Sequence, residues 1–231
     1  MDSSLISALG VGFLLGLRHA LDADHVAAVS TFVSQRRGVY DSCVLGTFWG
    51  IGHTAALLLA ALATTLLPLR IPPQVNRSLE ALVAIVVVAL GANVVRQAVG
   101  AVRVHRHEHV HDGRRHRHLH AHVGSTTAHT HGHPVGDVRR PLVMGALHGL
   151  AGSAAVLLLV VATRPSTLAA LIYVAVFGVG STVGMAVVSG LVGIPFAAGG
   201  ATERLRLILQ TAVGVGSVGV GMAMLRSFIA G

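Results

Sequence analysis

Apolar residues fall along this chain in long blocks separated by short polar breaks. Six blocks, at about residues 3–34, 41–67, 77–101, 141–163, 166–194 and 205–229, each reach the roughly 20 residues needed to cross the hydrocarbon core of a bilayer. The breaks are short and carry Arg, Pro or Gly, as in Gln35-Arg36-Arg37-Gly38 and Leu69-Arg70-Ile71-Pro72-Pro73. The first block is too long for one straight helix and holds a polar cluster, which predicts a break or tilt near Gly16–Asp24. One connection differs from the rest: residues 102–140 are polar, basic and rich in histidine.

Composition agrees with the blocks. The 231 residues have a mean hydropathy of +0.72, with 53% hydrophobic and 11% charged positions. A soluble domain needs roughly 25% charged residues, so the pattern predicts an all-α polytopic membrane protein. The 28 glycines suit close helix approach within a membrane. Formal charge is +8, and every basic residue is Arg. Without Lys there is no P-loop, no Schiff-base lysine and no Ser-x-x-Lys nucleophile, which excludes ATP hydrolysis by a Walker motif of this chain. The lone Cys43 forbids an intrachain disulfide and a two-thiol relay, and reads as a small apolar helix residue. The first block lacks a basic leader, so no cleavable signal peptide is expected. Nothing in the chain calls for nucleic acid or an organic cofactor.

The two sides of the linker resemble each other. Gly16-Leu17-Arg18-His19-Ala20-Leu21 aligns with Gly145-Ala146-Leu147-His148-Gly149-Leu150, and Trp49-Gly50-Ile51-Gly52-His53-Thr54 with Phe177-Gly178-Val179-Gly180-Ser181-Thr182. Gly91 and Arg96 align with Gly221 and Arg226, and the offsets are 129, 128 and 130. Any one match would be weak, but three in order at one offset read as a duplication. The chain 1–231 is then a single transporter domain, with repeat A at 1–101, a linker at 102–140 and repeat B at 141–231. Three spans per repeat force opposite orientations, the inverted repeat of many secondary transporters. Twelve arginines lie on the linker side and four on the other, leaving out Arg18 inside the first span. The positive-inside rule therefore puts the linker in the cytoplasm and both termini outside.

Chemistry concentrates in His19-Ala20-Leu21-Asp22-Ala23-Asp24-His25. One Asp near the bilayer centre costs ~2.5–3.5 kcal/mol on an insertion scale, so two of them flanked by imidazoles point to a bound cation. His and carboxylate form an N/O set for a divalent first-row metal. On an ideal helix at ~100° per residue, His19, Asp22 and His25 share an arc of about 120°, with Asp24 pointing elsewhere. Either the helix unwinds, or Asp24 orients a ligating imidazole. His53 lies among glycines at Gly50 and Gly52, and His148 among Gly145, Gly149 and Gly152. By the repeat, His148 would face His19 across the pseudo-symmetry axis. The metal candidates are thus His19, Asp22, Asp24, His25, His53 and His148; for His53 and His148 a satisfied packing histidine is the bland alternative. Arg18 reads as a counter-ion to Asp22 or Asp24, or else as a pathway residue. Asn93 and Ser153 are further pathway candidates, and Glu80 reads as interfacial.

Arg18 to His25 resembles the signature of the NiCoT family of nickel/cobalt transporters, His-x4-Asp-His within Arg-His-Ala-x-Asp-Ala-Asp-His. Gly52-His53-Thr54 is similar to that family's second motif, Gly-His-Ser/Thr, and the two motifs together cover about residues 16–56. The resemblance implies a permease for Ni²⁺ or Co²⁺ in a bacterial cytoplasmic membrane, with His19, Asp24 and His25 essential. Longer members carry acidic motifs in the second half; this chain has no Asp or Glu from 138 to 202. In that it is similar to the short, urease-associated nickel permeases.

The linker adds His105, His107, His109, His111, His116, His118, His120, His122, His129, His131 and His133. Gly, Ser and Thr among them predict a flexible segment without a core. Such a tract buffers, delivers or senses metal, or serves as a basic tail on anionic lipid. Uptake by alternating access of the two halves, with the metal released toward a cytosolic metallochaperone, is the leading reading. Efflux, with the loop gathering cytosolic metal, competes with it. An intramembrane metalloenzyme or a metal sensor is a third reading, although no His-Glu-x-x-His is present.

Overall fold

A computed structural model describes residues 3–36, 38–67, 72–100, 102–111, 114–123, 138–152, 166–197 and 203–230. The first predicted span is two helices. Helix α1 (Ser3–His19) stops where the amides of Leu21 and Asp22 turn back three residues, to the carbonyls of Arg18 and His19. Asp22 then takes extended backbone (φ −61°, ψ 142°), and its carbonyl accepts from Val26 to open α2 (Ala23–Val33). Asp is a favoured N-cap, yet the Asp22 carboxylate makes no cap bond; it lies 2.8 Å from His19 Nδ1 instead.

The remaining helices are α3 (Val39–Leu66), α4 (Pro73–Gly100), α5 (Arg139–Gly152), α6 (Thr167–Ala197) and α7 (Glu203–Ala230). Helices α3, α6, α7 and the Arg77–Gly100 part of α4 are long and apolar enough to cross a membrane. Their outer faces carry Leu59, Ile85, Val179, Val187 and Ile194, all exposed, as lipid-facing surface requires. The fourth predicted span is described only to Gly152; the rest of it, Ser153 included, lies outside the described residues. Between 102 and 123, where a flexible segment is expected, the backbone pairs as two antiparallel strands, β1 (Val102–His111) and β2 (Arg114–Val123). Strand pairing satisfies the backbone groups of a segment with no apolar face to pack.

Helix packing runs through glycine. A Cβ at Gly16 would strike the Phe177 carbonyl, and one at Gly145 would strike the Trp49 carbonyl. Gly180 abuts the Phe13 carbonyl and Gly52 the Leu142 carbonyl; Gly221 abuts Ala84 and Gly91 abuts Gly214. Each contact becomes its companion when both residues move by the 128–130 offset and exchange roles. Thr54 and Thr182, themselves 128 apart, meet at 3.1 Å between their Oγ1 atoms, and Thr54 also donates to the Gly178 carbonyl (2.9 Å).

Candidate metal centre

The break between α1 and α2 brings Asp24 to the same place as the imidazoles. A continuous helix would turn Asp24 away from His19, but α2 starts afresh at Ala23. Asp24 Oδ1 then accepts from the His25 backbone amide (2.9 Å) and lies 3.1 Å from His25 Nδ1. Its Oδ2 lies 2.8 Å from His148 Nε2, on α5. One carboxylate therefore holds two imidazoles from opposite sides of the linker.

His25 is the hub. Its ring centroid is 4.4 Å from His19, 4.1 Å from His148 and 5.2 Å from His53. The rings of His53 and His19 are 5.2 Å apart. Two overlapping sets, His19–His25–His53 and Asp24–His25–His148, each place three possible ligand atoms within 4.8 Å of one another. His25, His53 and His148 are 1%, 0% and 3% exposed, which excludes bulk water as their partner. His25 Nε2 and both nitrogens of His53 meet no hydrogen-bond partner. Leaving a buried polar atom unmatched costs ~1–3 kcal/mol, so a cluster that keeps three such nitrogens, with a lone pair on His25 Nε2 and on one nitrogen of His53, suits a group that accepts those lone pairs. Imidazole nitrogen with a carboxylate oxygen is a donor set for Ni²⁺, Co²⁺, Zn²⁺ or Cu²⁺.

The other sequence candidates fall outside this cluster. Asp22 contacts His19 and is half exposed at its side chain; it belongs to neither three-ligand set. Arg18 is exposed and pairs with neither Asp22 nor Asp24 among the described residues, because α1 turns it away from the break. Asn93 lies in a separate cavity, where its Oδ1 accepts from Arg96 (2.8 Å). Glu80 is exposed. His19 and His148 each lie against His25, with ring centroids 4.4 Å and 4.1 Å away. In the linker, His105, His107 and His109 sit at register positions opposite His120, His118 and His116. His111 pairs in register with Arg114 and His122 with Arg103, while His129, His131 and His133 lie outside the described residues.

Trp49 and Phe177 escaped the sequence reading as site residues. Trp49 packs 5.9 Å from His148 and Phe177 packs 5.4 Å from His19. The two aromatics align at offset 128 and the two histidines at 129, so the repeat register held that signal. Ser181, the counterpart of His53, is fully buried and its Oγ has no hydrogen-bond partner.

Long apolar helices around a dry cluster of imidazole and carboxylate define an integral membrane protein that handles a transition-metal cation. The family of high-affinity nickel-transport proteins matches residues 5–225, and the chain belongs to it. It is accordingly a transporter and not an enzyme. It is similar to the urease accessory protein UreH of Bacillus sp. (strain TB-90), 36% identical over 192 residues, 83% of this chain and 78% of that protein. It is also similar to the nickel transporter NixA of Staphylococcus aureus (strain NCTC 8325 / PS 47), 37% identical over 65 residues, 26% of this chain and 18% of NixA. No solved structure matches the chain.

Proposed function

We propose that the chain imports Ni²⁺, with Co²⁺ the second candidate cargo, and binds it through His19, Asp24, His25, His53 and His148. The observation that carries this reading is the buried cluster: four imidazoles and one carboxylate from α1, α2, α3 and α5, three of whose nitrogens have no partner. Asp22 serves by orienting His19 rather than by ligation. A carboxylate on the far side of a ligating imidazole fixes its tautomer and raises its basicity.

Six spans in two inverted repeats form the single transporter domain. The exchanged glycine contacts and the Thr54–Thr182 pair support this, since both follow from a two-fold axis passing near those threonines. The linker faces the cytoplasm and the termini lie outside, on the arginine distribution. The membrane potential contributes ~2.3 kcal/mol per charge per 100 mV, hence about 4.6 kcal/mol for an entering divalent ion. Alternating access exposes the cluster to each side in turn. The linker histidines collect metal after release, and the likeness to a urease accessory protein makes a cytosolic nickel-accepting protein the natural recipient.

Radionickel entry into proteoliposomes tests the proposal. Wild-type protein accumulates Ni²⁺, and His19→Ala and Asp24→Asn both lose entry. Undiminished entry in both variants would show the cluster to be structural. Net export under an inside-negative potential would instead support efflux, the reading favoured by histidines gathered at the linker end.

A further inference from the structure

The helices do not group by repeat. Helices α1, α3, α5 and α6 pack closely through glycine: Gly16 on Phe177, Gly180 on Phe13, Gly52 on Leu142, Gly145 on Trp49 and Gly50 on Thr182. The Thr54 bonds to Gly178 and Thr182 lie inside this group. Helices α4 and α7 form a second group through Gly91, Gly214 and Gly221. Helix α2 belongs with them. Ser217 on α7 donates to the Ala27 carbonyl (2.9 Å), and Gln210 on α7 donates to the Ser34 carbonyl (2.9 Å). Contacts of α2 with α3 and α6 are sparser than those with α4 and α7.

The metal cluster straddles these groups. His19, His53 and His148 stand on the first group, while Asp24 and His25 stand on α2 in the second. The Asp24–His148 contact crosses between them. The covalent joint between α1 and α2 is the three-residue turn Ala20–Asp22. Two cavities are lined by helices of both groups. One, of about 670 Å³, is lined by Thr31, Phe32, Gln35, Asn93, Gln97 and Met144 among others, at the linker end. The other, about 10 Å³, lies deeper, against Trp49, Met144 and His148. That is about the room one water needs. Met144 lines both cavities and so stands between the metal cluster and the wide vestibule. Arg36, Arg139 and Arg140 also line the vestibule, and among the described residues no carboxylate does, so the vestibule offers a cation no charged ligand there.

We infer that the moving units of transport are these two composite groups rather than the two sequence repeats, and that the ion leaves along their seam past Met144. This rests on the transport reading above. A core of α1, α3, α5 and α6 contains helices of both repeats, as does an arm of α2, α4 and α7. Swinging the arm about Ala20–Asp22 withdraws Asp24 and His25 from three imidazoles that stay behind, which opens the site and weakens its grip in one motion.

Two variants test this in proteoliposomes, beginning from Cys43→Ser, which removes the one native cysteine. Thr54→Cys/Thr182→Cys places two thiols where the hydroxyls are 3.1 Å apart and, once oxidised with diamide, ties repeat A to repeat B inside the core. Oxidation is expected to leave Ni²⁺ flux within about twofold of the reduced protein, as for a bridge that spans no moving interface. Loss of flux on oxidation that dithiothreitol restores would overturn the inference. Met144→Trp fills the seam; flux is expected to fall about tenfold or more while Ni²⁺ still binds, as overpacking of a passage requires. Wild-type flux in that variant would overturn the seam as the route, and it decides the matter if the double-cysteine protein fails to fold. Absence of flux in the wild type would instead remove the transport reading itself.

Discussion

Asp24→Asn is the sharpest single perturbation, because it changes charge and hydrogen-bond type while keeping shape. The carboxylate accepts on both oxygens, from His25 Nδ1 at 3.1 Å and His148 Nε2 at 2.8 Å. An amide keeps one acceptor and turns the other atom into a donor, so one imidazole faces a donor and must change tautomer or rotate. A hydrogen bond to a charged group contributes about 1.5–3 kcal/mol, and removing a carboxylate behind a ligating histidine typically costs about 10–100-fold in metal affinity. Where Asp24 also touches the ion, the missing charge adds to that loss. Radionickel uptake measured against Ni²⁺ concentration reads the effect as a rise of about 10–100-fold in half-saturation. Flux saturation is the better readout than total binding, because eleven linker histidines would obscure the latter. Asp22→Asn is the internal control: its carboxylate touches only His19 and is half exposed, so its effect is the smaller of the two. Equal effects, or a larger one from Asp22→Asn, would refute the assignment of Asp24 as the bridge.

Other outcomes follow from the packing and the cluster. Gly16→Ala and Gly145→Ala should each destabilise by about 1–3 kcal/mol or more, since each Cβ meets a backbone carbonyl, whereas Gly10→Ala meets nothing within 4 Å; thermal melts of purified protein rank the three. His53→Ala should abolish Ni²⁺ flux, while Ser181→Ala should leave flux near wild type and raise the melting temperature, because its hydroxyl is already unmatched and its burial costs about 1–3 kcal/mol. Deleting residues 105–133 should leave transport measurable in proteoliposomes; complete loss in a correctly inserted protein would show the linker to be part of the path. Ser217→Ala should lower stability by about 1 kcal/mol through its lost bond to Ala27, read by the same melts.

The sequence made the cluster legible and its geometry only in part. Charged and imidazole side chains inside apolar blocks are costly, so His19, Asp24, His25, His53 and His148 stand out wherever the helices run. The break was legible as well, since residues 3–34 exceed one span. The expected window, Gly16–Asp24, contains the observed turn Ala20–Asp22; what periodicity does not register is the local contact that draws Asp22 to His19. Arg18 and Asp22 were harder for the same reason: adjacency in sequence says nothing of which face a residue takes once a helix restarts. Register between the halves held more than motif reading extracted, namely the Trp49–His148 and Phe177–His19 stacking.

That register also exposes an asymmetry. Repeat A carries His19, Asp24, His25 and His53; at the corresponding positions repeat B carries His148, Ser153, Ala154 and Ser181. The proposed two-fold arrangement would offer two equivalent places for an ion, and the ligands furnish one of them. Among the described residues the cluster gathers around His25 on α2, with His148 contributed by the second half. An ion held by Asp24 and His25 of the arm and by three core imidazoles would have its ligands divided unequally between the proposed moving parts. In the proposed motion, that division would let a small rotation of α2 change the coordination number rather than merely carry the ion along. On that proposal the exchanged glycine contacts supply the interlocked core, and the unequal ligand sets of the two halves supply the release.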